Sequence, residues 1–409
     1  MFRVALAFVA LAVADDAFVH PEPGMAARDH LVSGLVPLTV AALLALAYPR
    51  LRAGARGATA IVAGVLALTA GVADGVRHVA VDRLAGDDVT ALLAALAGVV
   101  LVALGLHTLW RTRRLDDPPL RRYARRAGIA FLAGLATLFL LVPATIAIVA
   151  THRAREPVAA ADLGRAYERV SFTTADGLRL TGWYVPSENG AAIVLSPGRR
   201  GPLAHARLLA RHGYGVLLFD RRGEGESEGD FNAYGWGGDA DLKAAIDFLG
   251  RRADVDPDRI GGLGLSVGGE MLLETAAEDA RLGAVVSEGA SVRSIAEHWD
   301  DPALSDLQRP LTPLLAQTAA VAILAGERPP PSLLDLVDDI APRPVLLIRG
   351  LDGQPAEQLN RAFFDRAGAH KELWEVPRAG HTAAITARPD EYAARVLGFF
   401  DRALLEGEG

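Results

Sequence analysis

Apolar residues run almost unbroken through four stretches of the first third of the chain: Leu31 to Tyr48, Ala58 to Val76, Val89 to Trp110 and Gly128 to Ala150. An α-helix needs about 20 predominantly apolar residues to cross a hydrocarbon core of ~30 Å, and each stretch approaches that length. Each also holds several Gly or Ala, the residues that let helices approach closely in lipid. Buried soluble helices are the alternative, but four such runs in succession exceed the apolar length of ordinary core helices. A shorter run, Val4 to Ala14, follows Arg3 and ends in Ala12-Val13-Ala14. It has the form of a secretory signal with an A-x-A cleavage site, and equally of a first membrane helix running through Asp15 and Asp16 toward His20.

The pattern changes after a short linker at Glu156 to Asp162. Short apolar runs now alternate with helical periods. Tyr167 to Phe172 and Leu178 to Val185 predict two strands around Ala175-Asp176-Gly177, a hairpin turn signal. Further strands are predicted at Ala191 to Leu195, Gly215 to Phe219, Ile260 to Leu265, Ala284 to Ser287, Val345 to Ile348 and Glu372 to Val376. Helical patterns lie at Leu203 to Arg211, Gly237 to Leu249, Ser266 to about Ala277, and Pro389 to Leu404. Runs of four to six apolar residues between helices indicate a mostly parallel sheet covered on both faces. The expected division is a membrane region at 1–156 and an α/β domain at 157–409.

Charge follows the same division. Residues 1–156 carry 16 Arg and no Lys against 11 Asp and Glu, a net +5, and the rest of the chain sums to −12. The acidic part argues against nucleic-acid binding. The arginines also orient the helices, because basic loops stay in the cytoplasm. Arg50, Arg52 and Arg56 follow the first long run, and Arg111, Arg113, Arg114, Arg121, Arg122, Arg125 and Arg126 follow the third. The alternate loops hold only Arg28 in one and Arg77 and Arg83 in the other. The α/β half is thereby expected on the extracytoplasmic side of a cell membrane. Asp74, His78 and His107 lie near helix ends, where headgroup contact suffices for them. The chain has no cysteine, which removes disulfides, thiolate metal sites and Cys nucleophiles.

Gly264-Leu265-Ser266-Val267-Gly268 follows a predicted strand and opens a predicted helix. It has the form G-x-S-x-G, the nucleophile elbow. Asp220-Arg221-Arg222-Gly223-Glu224-Gly225-Glu226-Ser227 resembles the D-x-R-G-x-G-x-S loop of the same enzymes. With a histidine, His381, last in chain order, the region from about Tyr167 resembles an α/β-hydrolase of the serine esterase, lipase, thioesterase and serine aminopeptidase-like group. Residues 1–156 lie outside that resemblance.

The resemblance implies a set of roles. Ser266 is the nucleophile and His381 the general base, suited by an imidazole that titrates near neutrality. The acid departs from the pattern. The group usually shows Gly-x-x-Asp after the seventh strand, but here Gly350 is followed by Leu351, Asp352 and Gly353. Asp352 comes one residue early and Glu357 a few residues late. Either suffices to orient an imidazole. The backbone N–H groups of Val267 and of Arg199, in Ser196-Pro197-Gly198-Arg199-Arg200-Gly201, are the implied oxyanion donors. Ala290 to Leu336 is longer than a simple crossover needs. It reads as a cap insertion, with an apolar run at Leu311 to Leu324 that either touches the bilayer or packs on the sheet edge.

These observations imply a membrane-anchored serine hydrolase that acts on a small-molecule or lipid-like acyl substrate and needs no metal or organic cofactor. The alternative is an inert binding or signalling module that keeps the fold without turnover, a reading that rests on the displaced acid.

Overall fold

The structure, a computed structural model, describes residues 1–72, 86–112, 119–152, 155, 158–197 and 201–406. They divide into two units. In the first, helix α1 (Phe2–Ala14) runs on through a π-helical turn at Asp15–Val19. Helices α2 (Leu31–Ala47), α3 (Ala53–Gly71) and α4 (Gly86–Arg111) follow. Helix α5 (Pro119–Ala136) continues through a π-helical segment, Thr137–Leu141, into α6 (Val142–Thr151). Four helical stretches are long and apolar enough to cross a membrane: Leu31–Arg50, Ala53–Gly71, Val89–Arg111 and Tyr123–Thr151. The second starts five residues before the run at Ala58. Asp74 and His78 lie outside the described residues, and His107 is exposed on α4.

Small residues hold this bundle together. A Cβ added to Gly64 of α3 would stand 2.7 Å from the Gly98 carbonyl oxygen of α4, and one added to Gly98 would stand 2.7 Å from the Gly64 oxygen. Gly57 and Gly105 meet in the same way one heptad along, so α3 and α4 touch backbone to backbone. Helix α1 contributes Phe2, Ala5 and Leu6 to a core with Ala60, Ala97 and Leu101. Asp15, at the end of α1, is buried and accepts a 2.7 Å hydrogen bond from the Thr90 hydroxyl of α4. Large apolar side chains, among them Leu43, Leu46 and Leu96, point outward.

The second unit is built on one eight-stranded sheet in the order β1-β2-β4-β3-β5-β6-β7-β8. Its strands are β1 (Glu168–Thr173), β2 (Arg179–Val185), β3 (Ala192–Ser196), β4 (Gly215–Phe219), β5 (Ile260–Leu265), β6 (Leu282–Glu288), β7 (Val345–Gly350) and β8 (Lys371–Val376). Strand β2 is antiparallel to both its neighbours, and β4 to β8 with β3 are parallel. Helices α7 (Leu203–Arg211), α8 (Gly238–Gly250), α9 (Val267–Glu278), α10 (Ile295–Asp300) and α11 (Gln308–Leu311) come next. They are followed by α12 (Leu314–Ala325), α13 (Leu333–Leu336), α14 (Leu359–Arg366), α15 (Ala384–Ala387) and α16 (Pro389–Phe400).

Every residue of β3, β4 and β5 is buried. Alternate side chains enter different cores: Ala192 and Val194 join Leu242, Met271 and Leu272, whereas Ile193 and Leu195 join Leu209, Val396 and Phe400. That two-faced burial is why these strands read as continuous apolar runs. Strand β6 extends past the predicted Ser287 to include Glu288, which pairs with Leu265 in the parallel ladder. The apolar run at Leu311 to Leu324 forms α12, and Thr312–Arg328 belongs to the first unit.

The Gly64–Gly98 contact leaves no room for a methyl group. Gly98→Ala is expected to lower the stability of the detergent-solubilised chain by about 1–3 kcal/mol, read as an earlier loss of helical circular dichroism on heating. Gly128→Ala, which adds a methyl with nothing within 4 Å, is the matched control and should not destabilise.

Candidate active site

Strand β5 ends at Leu265 and helix α9 begins at Val267, leaving one residue to make the turn. That residue, Ser266, has φ 53° and ψ −126°, a conformation L-residues rarely adopt. The glycines on either side make it feasible. A Cβ at Gly264 would lie 2.4 Å from the Gly268 carbonyl oxygen, and one at Gly268 would lie 2.4 Å from the Ser196 carbonyl carbon. Two hydrogen bonds brace the turn: Ser266 N–H donates to the Glu288 carbonyl at 2.7 Å, and Gly269 N–H donates to the Ser266 carbonyl at 2.8 Å. The hydroxyl is thereby held at the C-terminal edge of the parallel strands and is partly open to solvent.

His381 reaches the same point from the loop after β8. Its Nε2 lies 2.9 Å from Ser266 Oγ, and its Nδ1 lies 2.7 Å from Glu357 Oε1. The imidazole is 26% exposed and the carboxylate 1%, so the acid is shielded while the base stays accessible. Glu357 also accepts from the backbone N–H groups of Gln354 at 2.8 Å and Gly350 at 3.3 Å. Burial alone would raise its pKa. The hydrogen bonds from His381 and Gln354 and the charge of the imidazole outweigh that and hold it below the ordinary carboxylate range. A buried carboxylate that accepts from Nδ1 fixes the tautomer and leaves Nε2 free to take the hydroxyl proton.

Of the two acids open from the sequence, Glu357 meets the imidazole and Asp352 does not. Asp352 is exposed, and its backbone N–H donates to the Ala379 carbonyl at 3.0 Å. The geometry explains the departure from Gly-x-x-Asp. A Cβ on Gly353 would stand 2.4 Å from Glu357 Oε1. The longer glutamate, arriving one turn later, fills the space that an aspartate side chain at 353 would need.

Val267 is the first residue of α9, where helix N–H groups lack an intrahelical acceptor and the helix dipole favours negative charge. Arg199 and Arg200 lie outside the described residues. In the Asp220 to Ser227 loop, the Ser227 hydroxyl donates to the Asp220 carbonyl at 2.6 Å and accepts from Thr181 N–H at 2.9 Å. Arg222 pairs with the buried Asp241 at 2.8 Å. The motif is a brace for the sheet edge.

Glu288 escaped the sequence reading, which ended β6 one residue too early. It is fully buried. Its backbone carbonyl holds Ser266 N–H, and its side-chain Oε1 accepts from Ala384 N–H at 2.9 Å. One residue thus ties the nucleophile turn to the histidine loop. Its second oxygen lies 3.8 Å from His205 Nε2 of α7. Burial, and behind it the Glu288 carboxylate, push the neighbouring Tyr392 phenol well above its ordinary range. The available signal was a lone acid, followed by glycine, directly after an apolar run.

The family model for X-Pro dipeptidyl-peptidase (S15 family) matches residues 149–336, a stretch that contains Ser266 and ends before Glu357 and His381. The uncharacterized protein YfhR of Escherichia coli O157:H7 is 30% identical over 261 residues, which cover 58% of this chain and 81% of YfhR. The thiohydrolase aneE of Aspergillus aculeatus is 28% identical over 195 residues, covering 44% of this chain and 58% of aneE. Among solved structures, the esterase Pf2001 of Pyrococcus furiosus superposes with a TM-score of 0.50 at 23% identity, covering 61% of this chain and 97% of the esterase. That likeness is one of fold.

Glu357→Gln should lower kcat by about 10⁴-fold, because the amide stabilises the wrong tautomer and no imidazolium, whereas Asp352→Asn should leave turnover near wild type. The lowered Glu357 pKa carries a second expectation. A carboxylate more acidic in the folded state stabilises the fold above its unfolded pKa and ceases to do so as pH falls through the folded value. The stability gap between wild type and Glu357→Gln in denaturant titrations should therefore close on acidification. Glu288→Ala should reduce kcat by about 10²-fold with little change in KM, as expected for a misplaced catalytic group. Glu288→Gln keeps an acceptor for Ala384 N–H and should recover most of the loss.

Proposed function

We propose a covalent serine-hydrolase mechanism for this chain, which belongs to the α/β-hydrolase superfamily. The Ser266 hydroxyl passes its proton to His381 Nε2 as Oγ bonds to the acyl carbon of the substrate. The Val267 N–H stabilises the resulting oxyanion, with Arg199 N–H as the second donor implied by the resemblance. Glu357 stabilises the imidazolium. The leaving group departs with the proton from Nε2. Water then gives a proton to His381 as its oxygen bonds to the acyl carbon, and Nε2 returns that proton to Ser266 Oγ as the acyl–Oγ bond breaks and the acid is released.

The observation that carries this reading is the continuous hydrogen-bonded line from Ser266 Oγ through both imidazole nitrogens to a buried carboxylate. It also removes the motive for an inert module, since the displaced acid has a substitute. An ester is the favoured substrate bond. The thiohydrolase name of one relative and the peptidase name of the family model keep thioesters and short-peptide amides as the next choices. The four apolar helices support residues 1–156 as a multi-pass anchor, and the arginine-rich loops support a catalytic domain on the extracytoplasmic side.

A fluorophosphonate probe tests the nucleophile. Wild-type chain should become labelled and lose hydrolysis of short-chain aryl esters, and Ser266→Ala should show neither labelling nor hydrolysis. Labelling that persists in Ser266→Ala would overturn the assignment.

A further inference from the structure

The crossover from β6 to β7 leaves the catalytic edge at Gly289, then passes through α10 and α11 to α12. It is unlike an ordinary connection in three respects. From Pro310 to Gly326 no side chain carries a charge, while Arg309 on one side and Glu327 and Arg328 on the other bracket the stretch. Helix α12 packs against α6 and α2 of the helical bundle, and Thr312–Arg328 is part of that unit. Large side chains on α12 nevertheless point away from protein: Leu315 is 71% exposed and Ile323 36%.

These features have one economical explanation. We propose that α12 is a half-membrane helix, seated among lipid acyl chains beside the N-terminal end of α2 and the C-terminal end of α6. The inference rests on the membrane reading of the bundle. Its 12 residues span about 18 Å at 1.5 Å per residue, a little over half of a ~30 Å hydrocarbon core. The helix is thus too short to cross and fits within one half of the bilayer. Its register agrees. Gly326, just past its C-terminal end, lies near the Asp29 carbonyl, two residues before α2. It also runs along α6, whose last residue, Thr151, ends the apolar part of the chain. Charges at both ends of one uncharged stretch then fall on the same aqueous side. Leu315 and Ile323 are exposed as Leu31, Leu35 and Leu43 are on α2 and Ile146 and Val149 on α6, the two helices that α12 packs against. The occupant that fits exposed aliphatic side chains of this kind is the bilayer itself. One module of the hydrolase fold would then carry its own lipid contact, separate from the anchor helices.

The absence of cysteine makes the test direct. Leu315→Cys, Ile323→Cys, Leu43→Cys and Asp306→Cys are each introduced into the full chain, labelled with a nitroxide and reconstituted in phosphatidylcholine vesicles. Collision rates are measured with oxygen, which concentrates in lipid, and with a neutral nickel chelate, which stays in water. Asp306, whose side chain is fully exposed, is the aqueous reference and Leu43 the lipid reference. The inference predicts that positions 315 and 323 behave as position 43, with oxygen collisions dominant. Chelate-dominated collisions at 315 and 323, with position 43 still lipid-like, would overturn the half-membrane helix alone. Protection from both reagents would mean protein cover, such as a second copy, and would equally overturn it. Chelate-dominated collisions at position 43 would overturn the membrane reading from which the inference starts.

Discussion

The chemistry of this protein depends on one backbone conformation that its own geometry disfavours. Ser266 is held at positive φ between β5 and α9, where a side chain crowds its neighbours. Such a residue costs on the order of 1–3 kcal/mol, and the surrounding structure offsets that cost. Glycines at 264 and 268 remove the Cβ atoms that would collide with the Gly268 and Ser196 backbones. The Glu288 carbonyl and Gly269 N–H hold the turn from two sides. The return is an alcohol raised above the sheet edge, at the start of a helix whose free N–H groups face developing negative charge.

The rest of the site is arranged around that point by burial graded from base to acid. Glu357 is shut away from solvent and given three hydrogen-bond donors, which hold its pKa down against a burial that alone would raise it. His381 stays partly exposed, as the proposed exchange of protons with substrate and water requires. Between the two catalytic loops, Glu288 uses its main chain for the serine turn and its side chain for Ala384. This buried acid stands outside the proton pathway. Its contribution is to fix the distance between two loops that are far apart in sequence.

The two units are packed in opposite senses. In the first, small residues face one another and large aliphatic ones face outward, the arrangement that suits helices in apolar surroundings. In the second, large side chains are packed into cores on both faces of the sheet, as burial from water requires. The crossover between β6 and β7 follows the first rule for part of its length and the second for the remainder.

The sequence by itself determined whatever depends on local periodicity or on crowding between near neighbours. Long apolar runs specified the membrane-length helices, and short ones specified the strands within a residue or two, because burial on one face or both leaves a repeat that survives without contacts. The G-x-S-x-G spacing identified Ser266, and chain order singled out His381. Tertiary structure decided what depends on reach. Asp352 is nearer the expected position than Glu357, yet side-chain direction and length bring the glutamate to the imidazole. Glu288 was invisible because a charged residue at a strand end reads as surface until its partners in other loops are known. Whether the apolar run at Leu311 to Leu324 touches the bilayer or packs on the sheet edge was open for the same reason, and its packing in the helical bundle came only from the fold. A hydrophobic pattern states that a surface must be covered, and only the fold states by what.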